Sequence, residues 1–437
     1  MISLGLKKSL RFGIDIQVDE YMKIAIIGTG ISGLTSAYLL NKKHDITVFE
    51  KNDYVGGHTH THDIDYGGKV WSVDSGFIVY NENTYPNFIK LLDQLGVESQ
   101  LSSMGFSVKA ISKNLEYAGN SLSALFTQRS NLFKPSFFRM IRGILNFNQE
   151  AEVDLANLAP DTTLGEYLEI KGHSIEFIEN YIVPMGAAIW STKPLDMLKM
   201  PVVFFIKFFK NHGLLQIKDR PKWWVIKGGS KRYVEKLIEN FKDKIKVSTP
   251  ITTVKRTDDI IEILYGKDTL ISESFDSVIL ATHSDQALKL LDEPTSKEKE
   301  ILGALPYQKN EALLHFDDSI LPSRRSAWSS WNYLLDKDKD KPVALTYNMN
   351  ILQSLQSDRT FCVTLNSDNV VDTQKIIKKM NYEHPLFTLE GIKAQNRKKE
   401  ISGKNRTFYC GAYWRNGFHE DGVVSALDVC REFGETL

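Results

Sequence analysis

The run Lys23-Ile24-Ala25-Ile26-Ile27-Gly28-Thr29-Gly30-Ile31-Ser32-Gly33 decides the fold. Lys23–Ile27 is short, apolar and closed by glycine, which predicts a buried strand. From Ile31 to Asn41 the residues Leu34, Ala37, Tyr38 and Leu40 recur at helical spacing, and Ile46–Glu50 reads as a second strand. Together they form a βαβ unit. Gly28 permits a tight turn, Gly30 lets a diphosphate approach the backbone, and Gly33 allows close packing of helix on strand. The helix start at Ile31 and Ser32 offers free N–H groups and a positive dipole end to that anion. Glu50 stands 22 residues beyond Gly28, where a carboxylate accepts hydrogen bonds from ribose hydroxyls and repels a 2′-phosphate. The unit therefore reads as dinucleotide-binding, with NAD and FAD both open.

Working outward, 437 residues suggest two to three domains, and 42% apolar with 25% charged residues suffices for a real core. Lys plus Arg number 54 and Asp plus Glu number 54, without the basic excess of a nucleic-acid-binding protein. Cys362, Cys410 and Cys430 show neither metal-type spacing nor a disulfide framework, so a reduced, cytoplasmic setting is expected. Residues 1–21 carry Lys7, Lys8 and Arg11 but no signal-type apolar run, and read as an over-called start or a flexible leader. Met200–Phe209 is interrupted by Lys207 and falls far short of the ~20 residues of a spanning helix.

One stretch departs from the neutral average. Residues 121–149 contain no acidic residue, while Arg129, Lys134, Arg139 and Arg142 alternate with Phe126, Phe133, Phe137, Phe138 and Phe147. This pattern fits an amphipathic helix pair packed on its domain, or a peripheral contact with the inner face of a membrane. Val202–Phe209 fits a surface element or the wall of an apolar tunnel. His58, His60 and His62 would share one face of a strand, but no fourth ligand is visible and no metal is expected.

Further on, Pro86 opens a helix with Phe88, Leu91, Leu92 and Leu95 on one face and Gly96 at its end. Ser230 is expected to cap a helix that turns Tyr233, Leu237, Ile238 and Phe241 inward. Strands follow at Lys246–Ser248, Ile260–Leu264 and Val278–Ala281, with turns at Asp258–Asp259 and Gly266–Lys267. The alternating charges of Asp336–Lys341 read as a solvated loop.

Beyond Glu50 the chain continues Lys51-Asn52-Asp53-Tyr54-Val55-Gly56-Gly57-His58, a glycine pair soon after the ribose-binding acid. Here the sequence resembles the flavin amine oxidoreductase superfamily, which includes monoamine oxidases, phytoene desaturases and protoporphyrinogen oxidases. The resemblance implies FAD, with Lys51, Gly56, Gly57 and His58 beside its diphosphate and ribityl chain. Val73-Asp74-Ser75-Gly76 resembles the following motif, and Trp224–Ser230 the return into the flavin domain. Ser248-Thr249-Pro250-Ile251 resembles the segment whose backbone, at Ile251, holds the adenine. Val278–Thr282 resembles the late strand, placing Ala281 and Thr282 at the cofactor, with His283 where a glycine is usual.

Gly411 through Gly422 and a helix Val423–Phe433 resemble the final flavin motif. Gly411, Asp421, Gly422 and Val423 are thereby implied neighbours of the flavin, with the helix start aimed at its N1–C2 carbonyl edge. Within the superfamily the sequence is most similar to predicted FAD-binding proteins like the flavoprotein-like domain fused to some cyclopropane fatty acid synthases. The strings Asp74–Asn81, Ala327–Tyr333, Cys410–Trp414 and Gly417–Gly422 carry that likeness. It covers nearly everything from Met22 onward. It implies an α/β fold: a Rossmann-like FAD-binding domain of the glutathione-reductase/amine-oxidase type, interleaved with a second α+β substrate domain. The FAD-binding domain is expected over 22–85, 225–290 and 395–437, and the substrate domain over 86–224 and 291–394.

Departures from the family matter as much. Phe418 is the counterpart of one of the two aromatic residues that face the flavin in amine oxidases, and it lacks a hydroxyl. Lys309 is the nearest counterpart of the family's flavin-side lysine, in poor register, and Ala412 replaces an acidic residue. These differences speak against amine oxidation and leave flavin binding intact. His419, placed by the resemblance beside the flavin, either moves protons with Glu420 or Asp421 orienting it, or only bonds the cofactor or closes the turn.

The implied function is an FAD-dependent oxidoreductase of the dehydrogenase or desaturase kind. Hydride would pass from a long apolar acyl or lipid substrate to flavin N5 while a base takes the neighbouring proton. The Phe-rich region 123–209 would form the apolar channel. Two alternatives stay open: an FAD-dependent double-bond isomerase without net redox, and a non-catalytic flavin-binding partner of a lipid-modifying methyltransferase.

Overall fold

The computed structural model describes residues 21–216, 219–266, 269–335, 344–367 and 370–437. The leader up to residue 20, the Asp336–Lys341 loop and Lys267 of the expected turn lie outside the described residues. Strand β1 (Lys23–Ile27), helix α1 (Ile31–Leu40) and strand β2 (Asp45–Phe49) form the expected βαβ unit, with Glu50 immediately beyond the second strand.

Five parallel strands make the nucleotide-binding sheet, in the order Ile245–Lys246, β2, β1, Ser277–Leu280, Thr407–Tyr409. Alternation along β1 explains why the whole run is apolar. Ile24 and Ile26 face α1, helix Pro86–Leu95 and the terminal helix His419–Arg431, whereas Ala25 and Ile27 face the opposite layer. Both faces are covered, so both sets must be apolar. The opposite layer is the antiparallel sheet Ile251–Arg256, Ile261–Tyr265, Ile271–Phe275 with helices Ser284–Leu290 and Ser296–Gly303.

Helix Pro86–Leu95 follows its pattern closely: Phe88, Leu91 and Leu92 are buried, and Gly96 ends it at φ 64°. At Lys231–Leu237 the expected side-chain cap is absent. Ser230 instead gives its N–H and hydroxyl to the buried carboxylate of Asp74, at 2.9 and 2.8 Å. Burial raises the Asp74 pKa to about 6 against these bonds, so the serine satisfies a tertiary acceptor rather than its own helix.

A seven-stranded mixed sheet stands apart from the first, ordered Ile376–Pro385, Tyr307–His315, Cys362–Leu365, Ala344–Asn348, Trp331–Leu335, Phe106–Ala110, Leu115–Ala118. Its neighbours are antiparallel except Trp331–Leu335 against Phe106–Ala110. Helices between residues 135 and 211 pack around an aromatic core of Phe147, Phe177, Phe205 and Phe209. Among the described residues no helix is long and apolar enough to cross a membrane. All three cysteines are buried and free.

Candidate active site

The glycine turn after β1 is shaped by contacts that leave no room for side chains. Gly28 has φ +105° and a Cβ there would lie 2.7 Å from the Ala281 carbonyl oxygen, while one on Gly33 would lie 2.0 Å from the Gly28 oxygen. Gly57, at φ +60°, brings the second glycine loop to the first: its Cβ would sit 2.9 Å from Gly30 Cα. Gly30 itself faces open space. Glu50 is buried and fixed at its post, its Oε2 accepting the Thr29 N–H (3.1 Å) and hydroxyl (2.5 Å) and its Oε1 the Asn52 N–H (2.8 Å).

These residues open onto a cavity of about 1370 Å³, beyond the roughly 300–1,000 Å³ of a pocket for one small ligand. Gly28, Gly30, Ile31, Ser32, Glu50, Lys51, Gly57, His58, Ile251, Ala281, Thr282, Gly411, Phe418 and His419 all line it. Five of the residues expected at the cofactor do not: Gly33, Gly56, Asp421, Gly422 and Val423. Their roles are in the frame. A Cβ on Gly56 would meet the Thr59 carbonyl at 2.5 Å, and one on Gly422 would meet Ile31 Cγ2 at 2.6 Å, where the terminal helix crosses α1. That helix starts four residues earlier than its sequence suggests, at His419, because the Asp421 carboxylate accepts the Phe418 N–H at 2.9 Å and closes its first turn. Burial raises the Asp421 pKa to about 7.

His419 is not oriented by its acidic neighbours. The Glu420 carboxylate accepts from the backbone N–H groups of Asn87 (3.2 Å) and Phe88 (2.9 Å), joining two helices. His419 stacks on Phe77 at 3.5 Å between ring centres, and its Nε2 lies 2.9 Å from Tyr233 Oη and 3.1 Å from Thr59 Oγ1. Burial and nearby His58 hold its pKa well below the ordinary imidazole value.

More imidazoles line the cavity than the motifs foretold. His283 stacks on Tyr307 at 4.2 Å and lies 3.2 Å from Glu383 Oε2, and His384 Nδ1 lies 2.8 Å from Asn310 Nδ2. Burial and neighbouring imidazoles lower both pKa values to about 3. His58 Nε2 is buried without a hydrogen-bond partner. His60 stacks on Tyr54 and His62 bonds Ser75 Oγ at 2.8 Å, so these two serve the hairpin rather than the cavity. His58, expected at the cofactor, and His283, standing where a glycine is usual, were the sequence signals for this cluster; His384 gave none. Lys309, despite its poor motif register, lines the cavity and pairs across the strands with Glu383.

The far arm of the cavity is apolar. Phe418 stacks on Phe208 at 5.1 Å, and Phe208 on His212 at 3.8 Å. Trp190, Met185, Ile189 and Leu214 continue the wall, and Arg220 and Lys222 supply charge there. The Phe-rich region divides accordingly. Phe208 reaches the cavity, but Phe126, Phe133, Phe137, Phe138 and Phe147 do not, since the helix carrying the last three turns Phe147 to other helices, Phe137 to the seven-stranded sheet and Phe138 to solvent. Burial lowers the His212 pKa to about 4, and its Nδ1 lies 3.0 Å from the Phe208 carbonyl oxygen. That bond assigns the proton to Nδ1 and leaves Nε2 an acceptor.

A dinucleotide suits this site on its own geometry. Two glycine loops meet where a diphosphate needs backbone, the first turn of α1 leaves N–H groups without helical partners, and a buried histidine nitrogen awaits a partner. The chain matches the family described as flavin containing amine oxidoreductase over residues 31–316. It is 22% identical over 382 residues to the flavin-containing amine oxidase A of Canis lupus familiaris, covering 82% of this chain and 67% of that one. A shorter likeness, 45% over 74 residues, links 17% of this chain to 14% of the 1-hydroxycarotenoid 3,4-desaturase of Flavobacterium sp.. In fold it is similar to the CLA-producing fatty acid isomerase from P. acnes, with TM-score 0.69 at 16% identity, covering 95% of this chain and 99% of that one. The chain belongs to the flavin-containing amine oxidoreductase family and is an FAD-dependent oxidoreductase.

Proposed function

We propose that this flavin-containing amine oxidoreductase takes hydride and a proton from adjacent carbons of a long, apolar, acyl-type substrate and leaves a C=C bond. The observation carrying this reading is the cavity arm beyond Phe418, which is aromatic and aliphatic, with Arg220 and Lys222 as its charged residues. Among the described residues, the carboxylates on the cavity wall are Glu50, engaged by Thr29 and Asn52, and Glu383, engaged by His283. A protonated amine entering the arm would lose hydration without meeting an anion, at a cost of several kcal/mol. An alkyl chain gains about 25 cal/mol per Å² of apolar surface buried there.

When bound, FAD supplies the hydride acceptor. The chain holds it through the two glycine loops, the start of α1 and Glu50, while Phe208, Phe418 and Trp190 exclude water. His212 Nε2, whose ring centre lies 5.7 Å from that of Phe418, receives the substrate proton. Its low pKa keeps it neutral at pH 7, free to accept a proton though as a weaker base than an ordinary imidazole. His419, with Nε2 held between two hydroxyls, positions the first turn of the terminal helix.

Anaerobic titration of the holoenzyme with acyl lipids tests this. The yellow flavin absorbance should bleach and the product should be two hydrogens lighter. In His212→Asn the bleaching rate should fall by about 10²- to 10⁴-fold at unchanged flavin content. Bleaching by amines and by no acyl lipid would overturn the reading. A product of unchanged mass formed without an electron acceptor would turn it to double-bond isomerisation, the course open to the same hydride being returned to a neighbouring carbon.

A further inference from the structure

The basic, Phe-containing stretch 121–149 resolves into two parts. Phe137, Met140 and Phe147 turn inward, whereas Leu122 (78% exposed), Phe133 (87%) and Phe138 (46%) stand in solvent. They share a surface with Ile111, 71% exposed at the turn Ile111–Lys113. Asn114 accepts hydrogen bonds at its carbonyl oxygen from Gln128 Nε2 and Lys134 Nζ, both at 2.9 Å. Asn131 reaches Glu116 beside it. These bonds fix the turn beside the Arg129–Phe133 segment, and Phe126 links that segment to Phe138 with ring centres 6.3 Å apart.

Large side chains at turn and helix starts do not form a groove; they protrude. Singly exposed apolar residues need no explanation, but four clustered on one surface do. The charge left unpaired around them, among the described residues, is of one sign. Arg129 and Arg142 are exposed and make no ion pair among the described residues, and Arg142 lies one helical turn from Phe138. Chain folding adds what the sequence window could not contain. The Thr127 and Ser326 hydroxyls share a hydrogen bond of 2.5 Å, which brings exposed Arg325 to the rim. The nearby carboxylates are already neutralised: Glu116 by Arg324, Glu176 by Arg139, Glu179 by Lys113.

We propose that this surface docks the protein on an anionic lipid bilayer, with Ile111, Leu122, Phe133 and Phe138 entering the headgroup–acyl boundary and the arginines meeting lipid phosphates. Protruding apolar side chains within a one-signed cationic rim suit a soft anionic layer. A flat protein partner would demand complementary pockets for four separate tips. The inference stands independently of the substrate, because it concerns where the protein sits rather than what it oxidises.

Flotation of the full-length holoenzyme with vesicles of phosphatidylglycerol and phosphatidylcholine, against pure phosphatidylcholine, tests the proposal. Binding should favour the anionic vesicles and weaken in high salt. Phe133→Ser combined with Leu122→Ser, and separately Arg129→Glu combined with Arg142→Glu, should each lower partitioning at least about tenfold. Unchanged flavin content and thermal midpoint confirm that these exposed changes leave the fold intact. Absence of binding to anionic vesicles, or binding that both double variants retain, overturns the proposal. So does a concentration-dependent dimer abolished by Phe133→Ser and Leu122→Ser, which would assign the surface to a second copy of the chain.

Discussion

At the scale of single residues, the proposed flavin site depends on side chains that are absent. Gly57 lies against Gly30 so tightly that a methyl group would come within 2.9 Å of its Cα, at a φ of +60° that β-carbon-bearing residues adopt at a cost. Gly57→Ala should therefore part the two loops, and purified protein should retain at least about tenfold less FAD, read as flavin absorbance per polypeptide; this corresponds to the roughly 1–3 kcal/mol of a strained backbone position. Full flavin content in that variant would mean the loops do not cradle the cofactor. Tyr233 tests the other side of the site. Its hydroxyl meets His419 Nε2 at 2.9 Å and Thr59 Oγ1 at 2.5 Å, so Tyr233→Phe leaves both partners short of a bond in a buried place. A loss of about 1–3 kcal/mol is expected in denaturant unfolding, with the proton-transfer rate much less affected than in His212→Asn. If Tyr233→Phe instead abolished turnover at normal stability, His419 rather than His212 would be the working base.

At the scale of elements, the terminal helix and α1 form one device. Gly422 lets them cross closely, with Ile31 Cγ2 2.6 Å from where a Cβ would stand and Ser32 Oγ 3.0 Å away. Both contacted residues also line the cavity. Gly422→Ala should thus displace the start of α1, costing about 1–3 kcal/mol by overpacking and weakening FAD retention together; a loss of stability with normal flavin affinity would separate the two helices functionally. The same helix marks what was readable in the sequence. Spacing alone disclosed β1, α1, β2 and Glu50, because a local βαβ unit writes its periods and glycines into neighbouring positions. Family motifs added Ile251, Ala281 and Gly411. The start of the terminal helix was misplaced, since its N-cap is Phe418, not a residue type that usually announces a cap, and the first turn is closed by Asp421 reaching back to the Phe418 N–H. Ser230 misled for a related reason: its hydroxyl serves Asp74, 156 residues away. That His58, His283 and His384 come together was unreadable because they come from three separate segments, and His212 gained its place only by the stacking of Phe208 against Phe418.

At the scale of the whole molecule, the histidines act together. The chain has ten, and every one has its pKa lowered, with burial the largest cause each time. Six stand at about 3 or 4: His60, His62, His212, His283, His315 and His384. His62 is lowered further by His60 and Lys378 and opposed by Asp63; His315 is lowered further by Lys375 and opposed by Asp317. As pH falls through about 6.5 the unfolded chain takes up protons at these sites, while the folded chain refuses them until far lower. Their contribution to stability is therefore complete above pH 6.5 and is lost below it, by up to about 1.4 kcal/mol per pH unit for the well-buried His212, His283, His315 and His384, and by less for His60 and His62, which water partly screens. Asp74 and Asp421 act in the opposite sense, because pKa values raised to about 6 and about 7 favour the folded state as they protonate. Two acids do not offset six imidazoles, and a domain has only about 5–15 kcal/mol to lose. The thermal midpoint should fall steeply between pH 7 and pH 5, before the ordinary carboxylates titrate, and unfolding at pH 6 should consume protons from the buffer. His62 and His315 lie away from the cavity, so His62→Gln with His315→Gln should flatten the slope whether or not FAD is bound. A midpoint that holds steady or rises toward pH 5 would show that these imidazoles are charged in the folded protein, and His212 could not then wait neutral for a substrate proton.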